Sequence, residues 1–251
     1  MIAKKTQIPH IIHYCWFGNG PKSPLILKCM ESWKRFMPSY EIIEWNESNT
    51  VLDSDYAKEA YEKKKYAFVS DYVRLKTVYE YGGIYLDTDV EILKNLQPIL
   101  DQGGFIGFEH FNTVNSGLGF AAPKHSVAVK AMLDVYKGIH FISDGEFDLT
   151  PCPLRNTKSL VLLGLMPNNT KQIVGDIIVY PIEYFCPKDC DSGIIKLTDN
   201  SYTIHYYGYS WADEKSQMIQ KRKETIFKYC PRFCAQFLFN IINHIYKQLG
   251  K

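Results

Sequence analysis

Hydrophobic and polar positions along the chain alternate between two periods. The run from Ile8 to Phe17 is short and rich in isoleucine and aromatics, which predicts a buried strand. Residues 24–36 carry a helical pattern, and Tyr40 to Trp45 reads as a second strand. From Asp55 to Tyr81 the period is again helical, with Phe68, Tyr72, Leu75 and Val78/Tyr79 on one face. Gly82-Gly83 is the expected stop, since glycine tolerates the left-handed conformation at a helix end. Beyond it Ile84, Leu86, Thr88 and Val90 alternate with Tyr85, Asp87, Asp89 and Glu91, a strand period. Further strands are expected at 104–109, 116–121, 171–185 and 193–206, with helices at 125–138 and 156–166. Residues 214–249 form a helical tail, in which Pro231 opens a second helix. Strands interleaved with helices mean an α/β fold.

Composition narrows the class. The chain has 251 residues, 46% hydrophobic and 22% charged, which excludes wholesale disorder. At this length about 70–75% of the unfolded surface is buried, so neither disulfides nor a structural metal are required. Seven scattered cysteines include no Cys-x-x-Cys and are read as reduced thiols. The net charge of +2 conceals an asymmetry. From Lys215 onward there are eight Lys or Arg and one acid, Glu224, whereas the remainder carries 21 basic and 26 acidic residues. An acidic body speaks against nucleic acid as a partner, and a basic tail suits an anionic one. The stretch before Phe17 is broken by Pro9, His10 and His13 and makes a poor secretory core, so the chain is expected in the cytoplasm.

The chemistry concentrates at Asp87-Thr88-Asp89. In an extended chain, residues two apart share a face about 6–7 Å apart. Two carboxylates so placed repel unless a cation is near, and their hard oxygens suit Mg²⁺ or Mn²⁺ alongside substrate phosphates. Upstream, Asp71 and Arg74 stand one helical turn apart. The loop Gly18-Asn19-Gly20-Pro21-Lys22-Ser23 lacks the order of a phosphate-binding Walker loop. His13, in an apolar strand, is read as a hydrogen-bonded core residue.

The whole string, SDYVRLKTVYEYGGIYLDTDVE, resembles the S-D-x-x-R…G-G-x-Y-x-D-x-D signature of DXD-containing glycosyltransferases of the family 32 type. That type includes capsule-synthesis transferases and fungal mannosyltransferases, with clostridial glucosylating toxins as distant kin. Pro9 to Trp16 is similar to the family's opening P-x-x-I-H-x-x-W strand, and His205 to Trp211 to its closing H…S-W element. The resemblance implies a GT-A type nucleotide-diphospho-sugar transferase fold: a Rossmann-like mixed sheet flanked by helices over residues 1–213, followed by the tail at 214–251. It implies a nucleotide-sugar donor, a UDP-hexose before GDP-mannose, a Mn²⁺ or Mg²⁺ ion, and retention of anomeric configuration.

Carried over by position, Trp16 would stack on the donor base and Tyr85 would line the ribose pocket; the strand's end and the glycine loop after it favour a pocket rim for Trp16 and Phe17 over two core aromatics. Asp71 and Arg74 would hold sugar hydroxyls or phosphate, and Asp87 would lie near sugar and ribose. Asp89 would ligate the metal on the diphosphate, and His205, Ser210 and Trp211 would close over the leaving diphosphate. Asp87 is a further candidate ligand, and His205 is either a third ligand or a packing residue. Glu109, after a predicted strand, is the candidate nucleophile, with Asn115 nearby; without one, the leaving phosphate would steer the acceptor.

Two other readings compete with this one. A haloacid-dehalogenase type phosphotransferase also ends a strand in D-x-D, but its fifth residue is Thr or Val, and here it is Glu91. A non-catalytic sugar-nucleotide-binding protein would have no need of the full set of acids. In the tail, apolar residues at 226, 230, 233/234, 237/238, 241/242 and 245/246 form a helical stripe beside Lys221-Arg222-Lys223. This predicts a helix lying on an anionic membrane surface near a lipid-linked glycan acceptor, or packed on the catalytic core.

Overall fold

The structure, a computed structural model, describes residues 7–208 and 214–248. Strand β1 (Ile11–Cys15) leads through α1 (Pro24–Phe36) to β2 (Glu41–Trp45), and then through α2 (Asp55–Glu62) and α3 (Tyr66–Tyr81) to β3 (Gly83–Tyr85). Next come β4 (Val90–Ile92), α4 (Gln97–Leu100), β5 (Gly104–His110), β6 (Thr113–Asn115), a 3₁₀ turn (Ser116–Leu118) and β7 (Phe120–Ala122). Helix α5 (Val127–Asp134), the hairpin β8 (Ile142–Ser143) and β9 (Glu146–Phe147), and α6 (Cys152–Val161) cover the sheet's flank. The last part holds β10 (Gln172–Val174), β11 (Ile177–Tyr180), α7 (Ile182–Phe185), β12 (Thr203–His205), α8 (Glu214–Tyr229) and α9 (Arg232–Gln248).

The main sheet has the order β10-β11-β5-β7-β3-β1-β2, with β6 added on β5. Strands β1, β2 and β3 run parallel, whereas β7 is antiparallel to both β3 and β5. Strand residues alternate between two cores, as the pleat requires. Cys15, Tyr85, Ile106 and Phe120 face the side covered by α2, α3, α5 and α6. Ile12, Tyr14, Ile84 and Phe105 face the other side, where Trp33 of α1 and Phe185 of α7 pack. This is the α/β fold that the pattern predicts, in the form of the mixed sheet flanked by helices that the resemblance implies.

Several expected elements are broken in the structure. The helix over 55–81 is two helices, because Lys64 takes a left-handed φ of 57° after Glu62-Lys63. The strand over 84–91 is interrupted: Val90 N–H donates to Asp87 O (3.0 Å), closing a tight turn on Thr88-Asp89. Residues 116–118 form a 3₁₀ turn instead of strand, since the Asn115 side chain accepts from Gly117 N–H. The expected strand over 171–185 is a hairpin turning at Gly175 followed by α7, and of 193–206 only β12 is extended. Helix 156–166 begins earlier, at Cys152 behind Pro151. The tail is two helices divided at Pro231, as expected.

His13 is a core residue. Its Nε2–H donates to Gly82 O (2.8 Å), while its Nδ1 accepts from the Trp45 indole N–H (3.1 Å). Burial, only partly opposed by the Gly82 hydrogen bond, lowers its pKa below the ordinary 6.5. Folding thus favours the neutral ring, and protonation favours the unfolded chain. We expect the His13 nitrogen resonances to remain those of the neutral Nε2–H tautomer as pH falls through 6.5. A ring that titrates at the ordinary value would contradict the buried tautomer.

Candidate active site

Helix α1 carries the chain from β1 to β2 over one face of the sheet, and α2 and α3 carry it from β2 back past β1 to β3 over the other. The carboxyl edge between β1 and β3 is therefore a topological switch point, where α/β sheets leave a crevice for ligands. Trp16 follows β1 at that edge, and Asp87 follows β3. Leu86 N–H still bonds to His13 O (3.0 Å) before the chain turns out of the sheet. Two bonds from α1 fix the departing β4: the Trp33 indole N–H to Val90 O (2.7 Å), and Ile92 N–H to the Ser32 hydroxyl (2.9 Å).

Arg74, only 4% exposed, is the hub of the site. Its Nη2 lies 2.9 Å from Asp71 Oδ1 and 3.2 Å from Asp87 Oδ1, and its Nε donates to Ser70 O (3.1 Å). The pair on α3 is thus not a surface ion pair. Tyr85 O–H donates to the same Asp87 oxygen (2.8 Å), and its buried ring lies under the guanidinium at 5.1 Å. Cys152, at the start of α6, sits beside Arg74 Nη1 and donates its S–H to Asn115 Oδ1 (3.4 Å).

Asp89 faces the closing strand. Strand β12 pairs antiparallel with β4 in the register His205↔Val90, and Tyr206 N–H donates to Asp89 O (3.0 Å). The Asp89 carboxylate then meets His205 Nε2 (3.0 Å) through Oδ1 and the Gly208 N–H (2.7 Å) through Oδ2. Burial works against its charge, but His205 and Gly208 outweigh that and hold its pKa at about 2. Asp87 moves the other way: burial raises it, Arg74 opposes, and the Asp89 charge adds to the rise. Burial likewise raises Asp71 against the pull of Arg74.

One ligand atom from each of Asp87, Asp89 and His205 lies within 4.8 Å of the others. Hard carboxylate oxygens with one imidazole fit Mn²⁺ or Mg²⁺, and the His205 Nδ1 is buried without a partner. Asp89, the ligand that the resemblance implies, thus stands beside the two further candidates, Asp87 and His205.

Other predicted residues are placed differently. Phe17 is buried in the core instead of rimming a pocket, because Tyr61 of α2 packs edge-on against its ring. Tyr85 reaches the site only through its hydroxyl, since its ring is 1% exposed. Trp16 keeps a half-buried ring with Lys22 Nζ 5.1 Å from its centre and its N–H on Gly20 O. Glu109 stands where the β5–β6 register shifts, a bulge that re-aims the side chain. Its Oε1 accepts from Asn115 Nδ2 (2.8 Å) and from Tyr207 O–H (3.0 Å). Ser210 and Trp211 lie outside the described residues.

Residues 24–106 match the model of the glycosyltransferase sugar-binding region containing the DXD motif. Over this third of the chain the protein is similar to the DXD-containing glycosyltransferases. The match spans α1, the Asp71–Arg74 helix and the Asp87-Thr88-Asp89 turn. Inositol phosphoceramide mannosyltransferase 3 of Schizosaccharomyces pombe is 29% identical over 124 residues, 47% of this chain. The alignment spans only 35% of that relative's length. Among solved structures, the PaToxG glycosyltransferase aligns with TM-score 0.48 and 18% identity, covering 62% of this chain and 69% of that one. A glycosyltransferase involved in glycosylation of the major capsid of PBCV-1 aligns at 0.44 and 14%, covering 84% and 98%. The galactosyltransferase LgtC aligns at 0.44 and 15%, covering 84% and 93%.

Gly117 is a part of this DXD site that the sequence pattern does not single out. A Cβ there would stand 2.7 Å from Asp87 Oδ2 and 3.0 Å from both Arg74 Nη1 and Asn115 Oδ1. Gly117→Ala should displace those groups, lowering turnover by about 100-fold while leaving the thermal unfolding midpoint within a few degrees. Wild-type kinetics in that variant would show that the three groups need not hold their positions.

Proposed function

We propose that the chain is a metal-dependent, retaining glycosyltransferase. It moves a hexose from a nucleotide sugar to a glycan acceptor. The observation that carries this reading is the convergence of Asp87, Asp89 and His205 beside Arg74 at the β1–β3 edge. The donor is a UDP-hexose in the first instance. A second reading, GDP-mannose, is favoured by the mannosyltransferase activity in the relative's name. The acceptor is lipid-linked, the product belongs to capsular or other surface polysaccharide, and the enzyme works in the cytoplasm, peripherally at the inner face of the membrane.

The residues divide the work. Arg74 presents its guanidinium to the donor's phosphate or sugar oxygens, and Asp71, fixed by Arg74, accepts from a sugar hydroxyl. Trp16 offers a ring face to the base at the same edge. Bound Mn²⁺ or Mg²⁺ would stabilise the charge that develops on the leaving diphosphate. Glu109 already accepts two hydrogen bonds, which suits a residue that orients an acceptor or supports the reacting sugar. We infer retention by a front-face route, in which the leaving phosphate steers the acceptor.

The test is a panel of UDP- and GDP-sugars with Mn²⁺, following slow donor hydrolysis with and without chelator. One donor should be cleaved only with metal. Asp89→Asn should lower that rate by at least about 100-fold with the fold intact, and Asp71→Ala should lower kcat comparably. Full activity in Asp89→Asn, or release indifferent to chelator, would remove the metal reading. Tight nucleotide binding without turnover on any donor or glycan acceptor would leave a sugar-nucleotide-binding protein.

A further inference from the structure

Four elements bring a second arginine into the neighbourhood of Asp71. Tyr56 comes from α2, Asp71 from α3, Tyr136 from the turn after α5, and Arg155 from α6. The Arg155 guanidinium lies 5.3 Å from the centre of the Tyr56 ring and 5.4 Å from that of Tyr136. The two rings meet edge-on at 5.1 Å and are 0 and 2% exposed. Asp148, whose side chain is partly open to water, pins Arg155 Nη2 from one end.

The Tyr56 and Tyr136 hydroxyls and the Arg155 Nε–H are nevertheless buried with no hydrogen-bond partner among the described residues. A buried donor left unpaired lowers stability. An interior built only to pack would therefore carry phenylalanine at 56 and 136. What stands beside these donors is a charge. Burial raises both hydroxyls, and the next cause for each is the Asp71 carboxylate. Burial also raises Asp71, Arg74 opposes, and Arg155 adds to that opposition. Arg74 does not balance Asp71 alone, because its Nη2 is shared with Asp87. One positive charge between two buried carboxylates leaves a negative excess, which a second cation offsets.

We propose that Tyr56, Tyr136 and Arg155 are positioning residues, a cation and two hydroxyl donors that fix the Asp71 carboxylate for the donor sugar. Asp71 is the group that meets the sugar, and the three act through it. The assignment deepens the proposed function and rests on the role given there to Asp71. The aromatic clamp explains why the cation is arginine: its flat guanidinium lies against both rings while one end still reaches Asp148.

The experiment follows donor hydrolysis and thermal unfolding of the full chain in Tyr56→Phe, Tyr136→Phe, Arg155→Met and Arg155→Lys. Each phenylalanine removes one unpaired hydroxyl, so the unfolding midpoint should hold or rise. In the same variants kcat should fall about fivefold, while the donor KM moves less than about twofold. Arg155→Met should lower kcat by at least about tenfold, and Arg155→Lys, which keeps the charge, should recover part of it. In an Asp71→Asn background the same changes should lower kcat by less than about twofold, because their target is gone. Arg155→Met should also lower the midpoint less in that background than in the wild type. Wild-type kcat in both phenylalanine variants, or equal effects with and without the Asp71 carboxylate, would overturn the assignment. A chain that cleaves no donor would remove the transfer reading, and the midpoints alone would then decide whether Arg155 serves Asp71.

Discussion

The site is organised by one buried cation. Arg74 leaves α3 with 4% exposure and reaches two carboxylates, Asp71 on its own helix and Asp87 beyond β3. Placing charge there is costly, and only a geometry that satisfies both partners offsets the desolvation. The arrangement meets that condition: Asp71 and Asp87 share one nitrogen, Ser70 O takes the Nε–H, and the Tyr85 ring lies against the guanidinium. Removing the cation would leave two acids facing each other in the interior, a loss of about 3–5 kcal/mol for a broken buried pair. Arg74 therefore ties helix, strand and turn into one unit. The price is an invariant local geometry, visible in Gly117, where even a methyl group finds no room.

The second acid has another environment because the chain turns. Had residues 84–91 stayed extended, Asp87 and Asp89 would share a face and a partner. The turn closed by Val90 N–H sends Asp89 toward β12, where His205 and Gly208 take its two oxygens. One carboxylate is thereby raised by burial and the other held at about 2. Neighbouring acids pushed apart in this way are suited to different tasks. Asp89 stays ionised and available to a cation, while Asp87 belongs to the Arg74 network and looks toward Tyr85 and Gly117.

Much of this was legible in the sequence. The α/β alternation, the Gly-Gly stop, the Asp71–Arg74 pair and the Asp87/Asp89 pair come from patterns within a few residues, whereas His205, more than a hundred residues further on, is reached only through the resemblance of its own segment. What was not legible depends on contacts far apart along the chain. The alternation at 84–91 could not reveal that Trp33 and Ser32 of α1 would pull Val90 and Ile92 out of the sheet. Phe17 at a strand end looks like a rim residue until Tyr61 is seen to cover it. Cys152 carries no local signal at all, and it reaches Arg74 only because α6 starts behind Pro151. Gly117 had a faint one, in the Asn115-Ser116-Gly117 sequence that favours a tight turn.

The closing segment links these two halves of the molecule. Tyr206 is held from three directions, by Asp89 O, by Glu91 through its hydroxyl, and by Lys188 at its carbonyl. Tyr207 next to it, in the left-handed region at φ 53°, turns its hydroxyl to Glu109 and to the Cys186 thiol. The same few residues thus touch the D-x-D turn on one side and the 186–195 loop on the other, and that loop carries α8. Any displacement of His205 or Gly208 from Asp89 must be absorbed by this segment, because β12 has only three residues of pairing to β4. The D-x-D turn and the tail are therefore joined through one short run of contacts although more than a hundred residues separate them.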